Sequence, residues 1–174
     1  MNYFEFFNLP VAFILDEAAL KSSFYVNSKR FHPDFYATAS AEEQAHALQM
    51  STLNNEAYRI LSDLDRRMQY VLGLKGVLAE EGQNEAPADF LMEMMELNEA
   101  LMELEFDFDP DTFQQVSQQI ESMESSLFEE VAPLLQAYND QQPDPVALEL
   151  IKDYYFKRKY LLRIRENLSK FATH

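Results

Sequence analysis

The chain has no cysteine, no tryptophan, three glycines and three histidines in 174 residues. The absence of thiols excludes disulfides, thiolate zinc sites, a cysteine nucleophile and thiolate-bound iron–sulfur clusters. His32, His46 and His174 supply a histidine-built metal site poorly, and no cofactor or metal is expected. Three glycines and seven prolines leave little material for the tight turns that several short strands need. No apolar run reaches the length of a membrane span, and Met1-Asn2-Tyr3-Phe4-Glu5 lacks the basic start of a signal or transit peptide, so the expectation is a cytoplasmic protein. Positive charge is also scarce. A formal net charge of −16 disfavours nucleic acid and anionic membranes, which most of this surface would repel. Positions 76–149 hold nineteen acids and no Lys or Arg, so residues 1–75 carry a net −2 and residues 76–174 a net −14. That asymmetry indicates two modules with different partners.

What remains is helix-forming, with 47% hydrophobic residues, enough to bury a core. Asp16 followed by Glu17-Ala18-Ala19-Leu20 is a helix start, and Leu20, Phe24, Asn27 and Phe31 share one face. The helix should stop at Phe31, because Pro33 disfavours the α conformation at His32. Ser40 and Glu43 form a capping-box pattern that opens a second helix, with Leu48, Leu53, Ala57 and Ile60/Leu61 offered to the core. A short loop between the two predicts an antiparallel hairpin. A third helix is expected over Asp65–Leu74, ending at Gly76. The stretch AEEGQNEAPAD, residues 79–89, reads as a linker. Beyond it, helices are expected from Phe90 to about Phe106, from Asp109-Pro110 onward with Pro133 kinking or interrupting it, and from about Val146 to Phe171. Three helices with short connections and apolar stripes make an antiparallel three-helix bundle. The expected architecture is all-α.

The loop between the hairpin helices holds His32-Pro33-Asp34. Upstream lie Leu20, Phe24 and Phe31 with basic Lys21, Lys29 and Arg30; downstream lies the run Leu53-Asn54-Asn55-Glu56-Ala57-Tyr58-Arg59-Ile60-Leu61-Ser62-Asp63. This arrangement resembles the J-domain, the module that stimulates ATP hydrolysis by heat-shock chaperones of the DnaK type. Tyr3-Phe4, Leu9-Pro10, Arg67-Met68-Gln69-Tyr70-Val71-Leu72, Leu74-Lys75-Gly76, and Phe90-Leu91-Met92-Glu93 through Leu97 and Leu101 extend the likeness over nearly the whole chain. It resembles the HscB family of co-chaperones in iron–sulfur cluster assembly. The resemblance implies a J-domain at 1–76, a linker at 77–86 and a three-helix unit at 87–174. It further implies two partners: an HscA- or DnaK-type chaperone for the J-domain, and the scaffold IscU for the bundle. The family pattern usually has Lys where Phe35 stands, and apolar residues where Asn27 and Asn54 stand, which predicts one electrostatic contact fewer and slightly weaker packing.

Physically, Pro33 fixes the backbone while His32 and Asp34 offer a donor and an acceptor to a partner. Such a loop breaks no substrate bond; it favours one state of an ATPase by binding that state better. The bland alternative is a Pro-bounded turn with an exposed His and an Asp capping local amides. Lys21, Lys29 and Arg30 lie off the apolar stripe and read either as a solvated face or as a patch steering toward an acidic groove.

On the first bundle helix, Phe90, Met94, Leu97, Leu101 and Leu104 fall within an arc of roughly 80°, a complete core stripe. Leu91, Met92, Met95, Glu96, Glu99 and Glu103 share a different arc of roughly 140°. Apolar residues surplus to the core and set among carboxylates form a candidate partner site, unless Leu91, Met92 and Met95 pack on a neighbouring helix. These six positions match the scaffold-binding surface of the resembled family, and Tyr160 matches an aromatic of that surface, with a core role equally open. Two other classes compete: a general J-protein with a different client, and an enzyme using His32 and Asp34, for which the sequence offers no convergent polar pocket.

Overall fold

The computed structural model describes residues 1–79 and 85–173; residues 80–84, in the middle of the expected linker, and His174 lie outside the described residues. The described residues are all-helical: α1 Tyr3–Phe6, α2 Glu17–Arg30, α3 Ala41–Leu61, α4 Leu64–Leu74, α5 Ala88–Phe106, α6 Pro110–Ala137 and α7 Pro145–Ser169, with short 3₁₀ turns at Pro33–Tyr36 and Lys170–Thr173. They form two compact units: Met1–Lys75 with Tyr138–Pro143, and Gly76–Ala137 with Asp144–His174.

In the first unit each helix start follows from a side chain that accepts an orphan N–H: Asn2 for α1, Asp16 for α2, Ser40 for α3 and Asp63 for α4. At Asn2 and Ser40 a glutamate three residues on returns the bond, completing capping boxes. Helix α1 is one turn long and has no periodicity to announce it. It is held by stacking of Tyr3 on Tyr70, 4.6 Å between ring centroids, and by the Tyr3 N–H donating to Tyr70 Oη at 2.9 Å.

Helices α2 and α3 are antiparallel. Phe24 stacks on Tyr58 at 4.2 Å, while Ser28, one turn later in α2, receives a hydrogen bond from Asn54, one turn earlier in α3. The buried positions of α3 are Ala47, Asn54, Ala57 and Leu61. Leu48, expected in the core, is exposed, and Leu53 is half-buried. Ala57 and Leu61 are buried as expected, while Ala47 and the hydrogen-bonded Asn54 take the places expected for their neighbours Leu48 and Leu53. Asn54 therefore corrects the expectation of weakened packing: its Nδ2 donates to the Phe24 carbonyl at 3.1 Å and to Ser28 Oγ at 3.0 Å. Asn27 is half-buried.

Arg67 is buried, with Nε donating to the Phe13 carbonyl at 2.7 Å and a second nitrogen donating to the Leu61 carbonyl. Burial pushes its pKa down, opposed only in part by the charges of Glu17 and Asp63. The guanidinium thus joins the segment before α2 to the end of α3. Residues 138–143 belong to the same unit. There Tyr138 meets Phe13 edge-on at 4.9 Å, Tyr138 Oη donates to Asp140 at 2.7 Å, and Lys75 pairs with Asp140.

The second unit is a bundle of α5, α6 and α7. Its core joins Phe90, Met94, Leu97, Leu101 and Leu104 to Val116, Ile120, Leu161, Ile164 and Leu168. Burying an aliphatic or aromatic side chain of this kind contributes about 1.5–3 kcal/mol against leaving it in water. Early α6 residues Phe113 and Ser117 line a groove with Leu168 of late α7, and late α6 residues Val131 and Leu134 one with Leu150 and Tyr154 of early α7, so these helices are antiparallel. Of the expected kink or interruption at Pro133, there is no interruption: α6 runs through the proline as one helix. Pro133 and Glu129 are both exposed, so the missing bond from residue 133 to the Glu129 carbonyl lies on a solvated side of the helix, with Pro133 four residues before its end.

Candidate functional site

His32 adopts an extended backbone, φ −66° and ψ 131°, as the residue before a proline should. It becomes the N-cap of the Pro33–Tyr36 turn, with Nδ1 accepting the Asp34 N–H at 3.3 Å. The imidazole therefore caps the local amide. With Nδ1 as acceptor the neutral ring carries its proton on Nε2, which is left as a donor. Asp34 Oδ2 lies 3.6 Å from the same Nδ1, an ion pair only if the ring is doubly protonated; the backbone bond is the contact that holds in the neutral form. The side chains of His32 and Asp34 are 54% and 89% exposed, so both polar groups remain accessible to a partner. Tyr36 Oη donates to the Arg30 carbonyl at 3.1 Å and ties the turn to the end of α2.

Lys29 and Arg30 are exposed and adjoin the triad, with the Arg30 guanidinium 5.2 Å from the centre of the Phe31 ring. Lys21 is exposed too but lies about 12 Å further back along the axis, two turns from Lys29. Sequence reasoning passed over two exposed apolar residues here, Tyr25 and Val26 between the cations; Phe35, noted there as a departure from the family pattern, is also exposed, its ring edge-on to His32 at 6.3 Å. A groove of about 420 Å³ opens beside Pro33, lined by Tyr36, Ala37, Ala45 and Leu48 among others. The misplaced Leu48 is thus a wall of a surface hollow.

In the second unit the five residues of the expected α5 core stripe are all buried. Met92 and Met95 are exposed, as are Glu96, Glu99 and Glu103, so these five share an open helical face. Leu91 is half-buried and packs at the edge of the core. Tyr160 does the same from α7: its ring meets Phe90 edge-on at 5.7 Å and its hydroxyl accepts from Asn98 Nδ2 at 2.8 Å. Leu91 and Asn98 lie on one flank of the open face, so Tyr160 borders the face while stabilising the bundle. Met102 and Phe106, passed over in the sequence, are also exposed on this helix. Their signal was the same arc continued toward the C-terminus. No helix among the described residues is long and apolar enough to cross a membrane.

Residues 86–169 match a family model described as the HSCB C-terminal oligomerisation domain. A co-chaperone protein HscB homolog of Vibrio cholerae serotype O1 (strain M66-2) is 45% identical over 112 residues, 64% of this chain and 66% of that protein. The homolog of Vibrio campbellii is 38% identical over 137 residues, 73% of this chain and 80% of its relative. Among solved structures, the chaperone HscB from Vibrio cholerae superposes with a TM-score of 0.69 at 32% identity, covering 98% of this chain and 99% of that one. The human co-chaperone protein HscB gives a TM-score of 0.75 at 25% identity, covering 97% and 81%. The all-helical fold and these likenesses define a co-chaperone, a protein that assists a chaperone and is not itself an enzyme. The chain belongs to the HscB family.

Proposed function

We propose that the chain is a J-type co-chaperone that stimulates the ATPase of a DnaK- or HscA-type chaperone and delivers an IscU-type iron–sulfur scaffold to it. Residues 1–76 are the J-domain and residues 87–174 the scaffold-binding unit. His32, Pro33 and Asp34 engage the chaperone, with Lys29, Arg30 and Lys21 steering the encounter toward an acidic surface. Leu91, Met92, Met95, Glu96, Glu99, Glu103 and Tyr160 receive the scaffold.

The observation that supports this reading is the pairing, in one chain, of an exposed His-Pro-Asp turn with a bundle face where methionines stand beside carboxylates. The turn is held by its own backbone bonds, so its donor and acceptor meet a partner already ordered, which lowers the cost of binding. Favouring one state of an ATPase requires only that the turn bind that state better. Holding the scaffold on the same chain raises its effective concentration at the chaperone.

The test is steady-state ATPase of the purified chaperone with and without scaffold. Stimulation by this chain should rise further when scaffold is added. If stimulation occurs but ignores the scaffold, the chain serves another client; if none occurs, the J-domain assignment fails.

A further inference from the structure

The α5 face continues past the residues named so far. Met92, Met95, Met102 and Phe106 are 70%, 59%, 60% and 90% exposed, the last the most exposed of the large apolar side chains. On an ideal helix these four fall within roughly 80° of arc and extend about 21 Å along the axis. Glu99 falls inside that arc, Glu96 and Glu103 lie just beyond it on one side, and the core stripe lies on the opposite side of the helix. The strip is therefore longer than the matched positions alone, and its far half ends on an uncovered phenylalanine.

Two occupants compete for such a strip. A second copy of this chain docking strip to strip would bring the same three glutamates against their own kind, with no Lys or Arg on α5 to offset them. A partner with an apolar surface rimmed by Lys or Arg faces no such repulsion. We infer that Met102 and Phe106 form the far half of the scaffold-docking strip, receiving a basic-rimmed apolar surface of the scaffold and setting specificity for it. This inference rests on the scaffold-binding reading above. Phe106 is the expected anchor, since aromatic side chains carry a large share of interface energy at low entropic cost.

The experiment compares full-length wild type, Met102→Ala/Phe106→Ala and Leu91→Ala/Met92→Ala, measuring affinity for the purified apo scaffold, circular dichroism, melting temperature and sedimentation. Met102→Ala/Phe106→Ala should keep its melting temperature and lose about tenfold or more in affinity. Phe106→Leu should recover part of that loss. If Met102→Ala/Phe106→Ala binds like wild type while Leu91→Ala/Met92→Ala is weakened, the far half is not a contact and the inference fails, although the scaffold reading stands. If wild type does not bind scaffold at all, the scaffold reading itself fails. If wild type sediments as a dimer that Met102→Ala/Phe106→Ala dissociates, the strip is occupied by a second copy and the inference is overturned.

Discussion

The Nδ1 of His32 accepts the backbone N–H of Asp34, 3.3 Å away. That bond is local to the turn, and the side chains of His32 and Asp34 remain 54% and 89% exposed.

His32→Gln should abolish stimulation of the chaperone ATPase, because the amide cannot hold the same cap and present the same donor. An exposed substitution of this kind changes stability by only about 0.5 kcal/mol. Scaffold affinity should be intact. Full stimulation by the variant would remove His32 from the site.

Leu91 and Met92 are neighbours in sequence with different surroundings, one at the core edge and the other in water. Met92→Ala should weaken scaffold binding with no change in melting temperature. Leu91→Ala should lower both. Glu96→Ala, Glu99→Ala and Glu103→Ala should chiefly reduce the salt dependence of binding. A large fall in melting temperature for Met92→Ala would show that it serves the fold instead.

Asn54 ties α3 to α2, yet its Oδ1 is buried and accepts no hydrogen bond among the described residues. Asn54→Ala should cost about 1 kcal/mol or more, because two cross-helix bonds disappear and a small void opens. Asn54→Leu removes the unpaired acceptor and restores volume, so it should be less costly. Urea unfolding of the three proteins decides this; equal stabilities would mean the bonds contribute nothing.

Asp140 gives a pH-dependent contribution. Burial raises its pKa, but hydrogen bonds from Lys75 and Tyr138 and the charge of Lys75 outweigh it and hold the carboxyl below its usual value. Burial and the same carboxylate push the Tyr138 hydroxyl up, so it stays protonated and donates. A carboxyl depressed in the folded state adds stability above its unfolded pKa of about 3.9, and that stability is lost as pH falls through the lower folded value. Asp140→Asn should therefore be less stable than wild type at pH 7, and the gap should close in acid. A gap that persists unchanged at pH 2 would show that the carboxylate charge is not its source.

Local chemistry and periodicity were sufficient for most of the helices and for the loop triad. Asp16, the Ser40–Glu43 pair and Pro33 act within a few residues, so helix starts and the stop before the loop are readable in order along the chain. The α5 core stripe is likewise a property of one helix, and all five of its residues are buried. Where closeness to another element decides, the linear pattern ran out. Leu48 rather than Ala47 looked like core because side-chain size ranks above approach distance in a one-dimensional reading, and Asn54 looked like a defect because its acceptors lie thirty and twenty-six residues away. One-turn α1 depends on Tyr70, and the place of Tyr138–Pro143 beside Phe13 and Lys75 depends on contacts more than sixty residues apart in the chain. The sequence by itself determined the class of fold, the capped starts of α2 and α3 and the stop before the loop triad, because each rests on interactions between near neighbours. The tertiary structure alone decided which face of α3 is buried, which α5 side chains stay in water and which loop joins which unit, because each depends on groups brought together only when the chain packs.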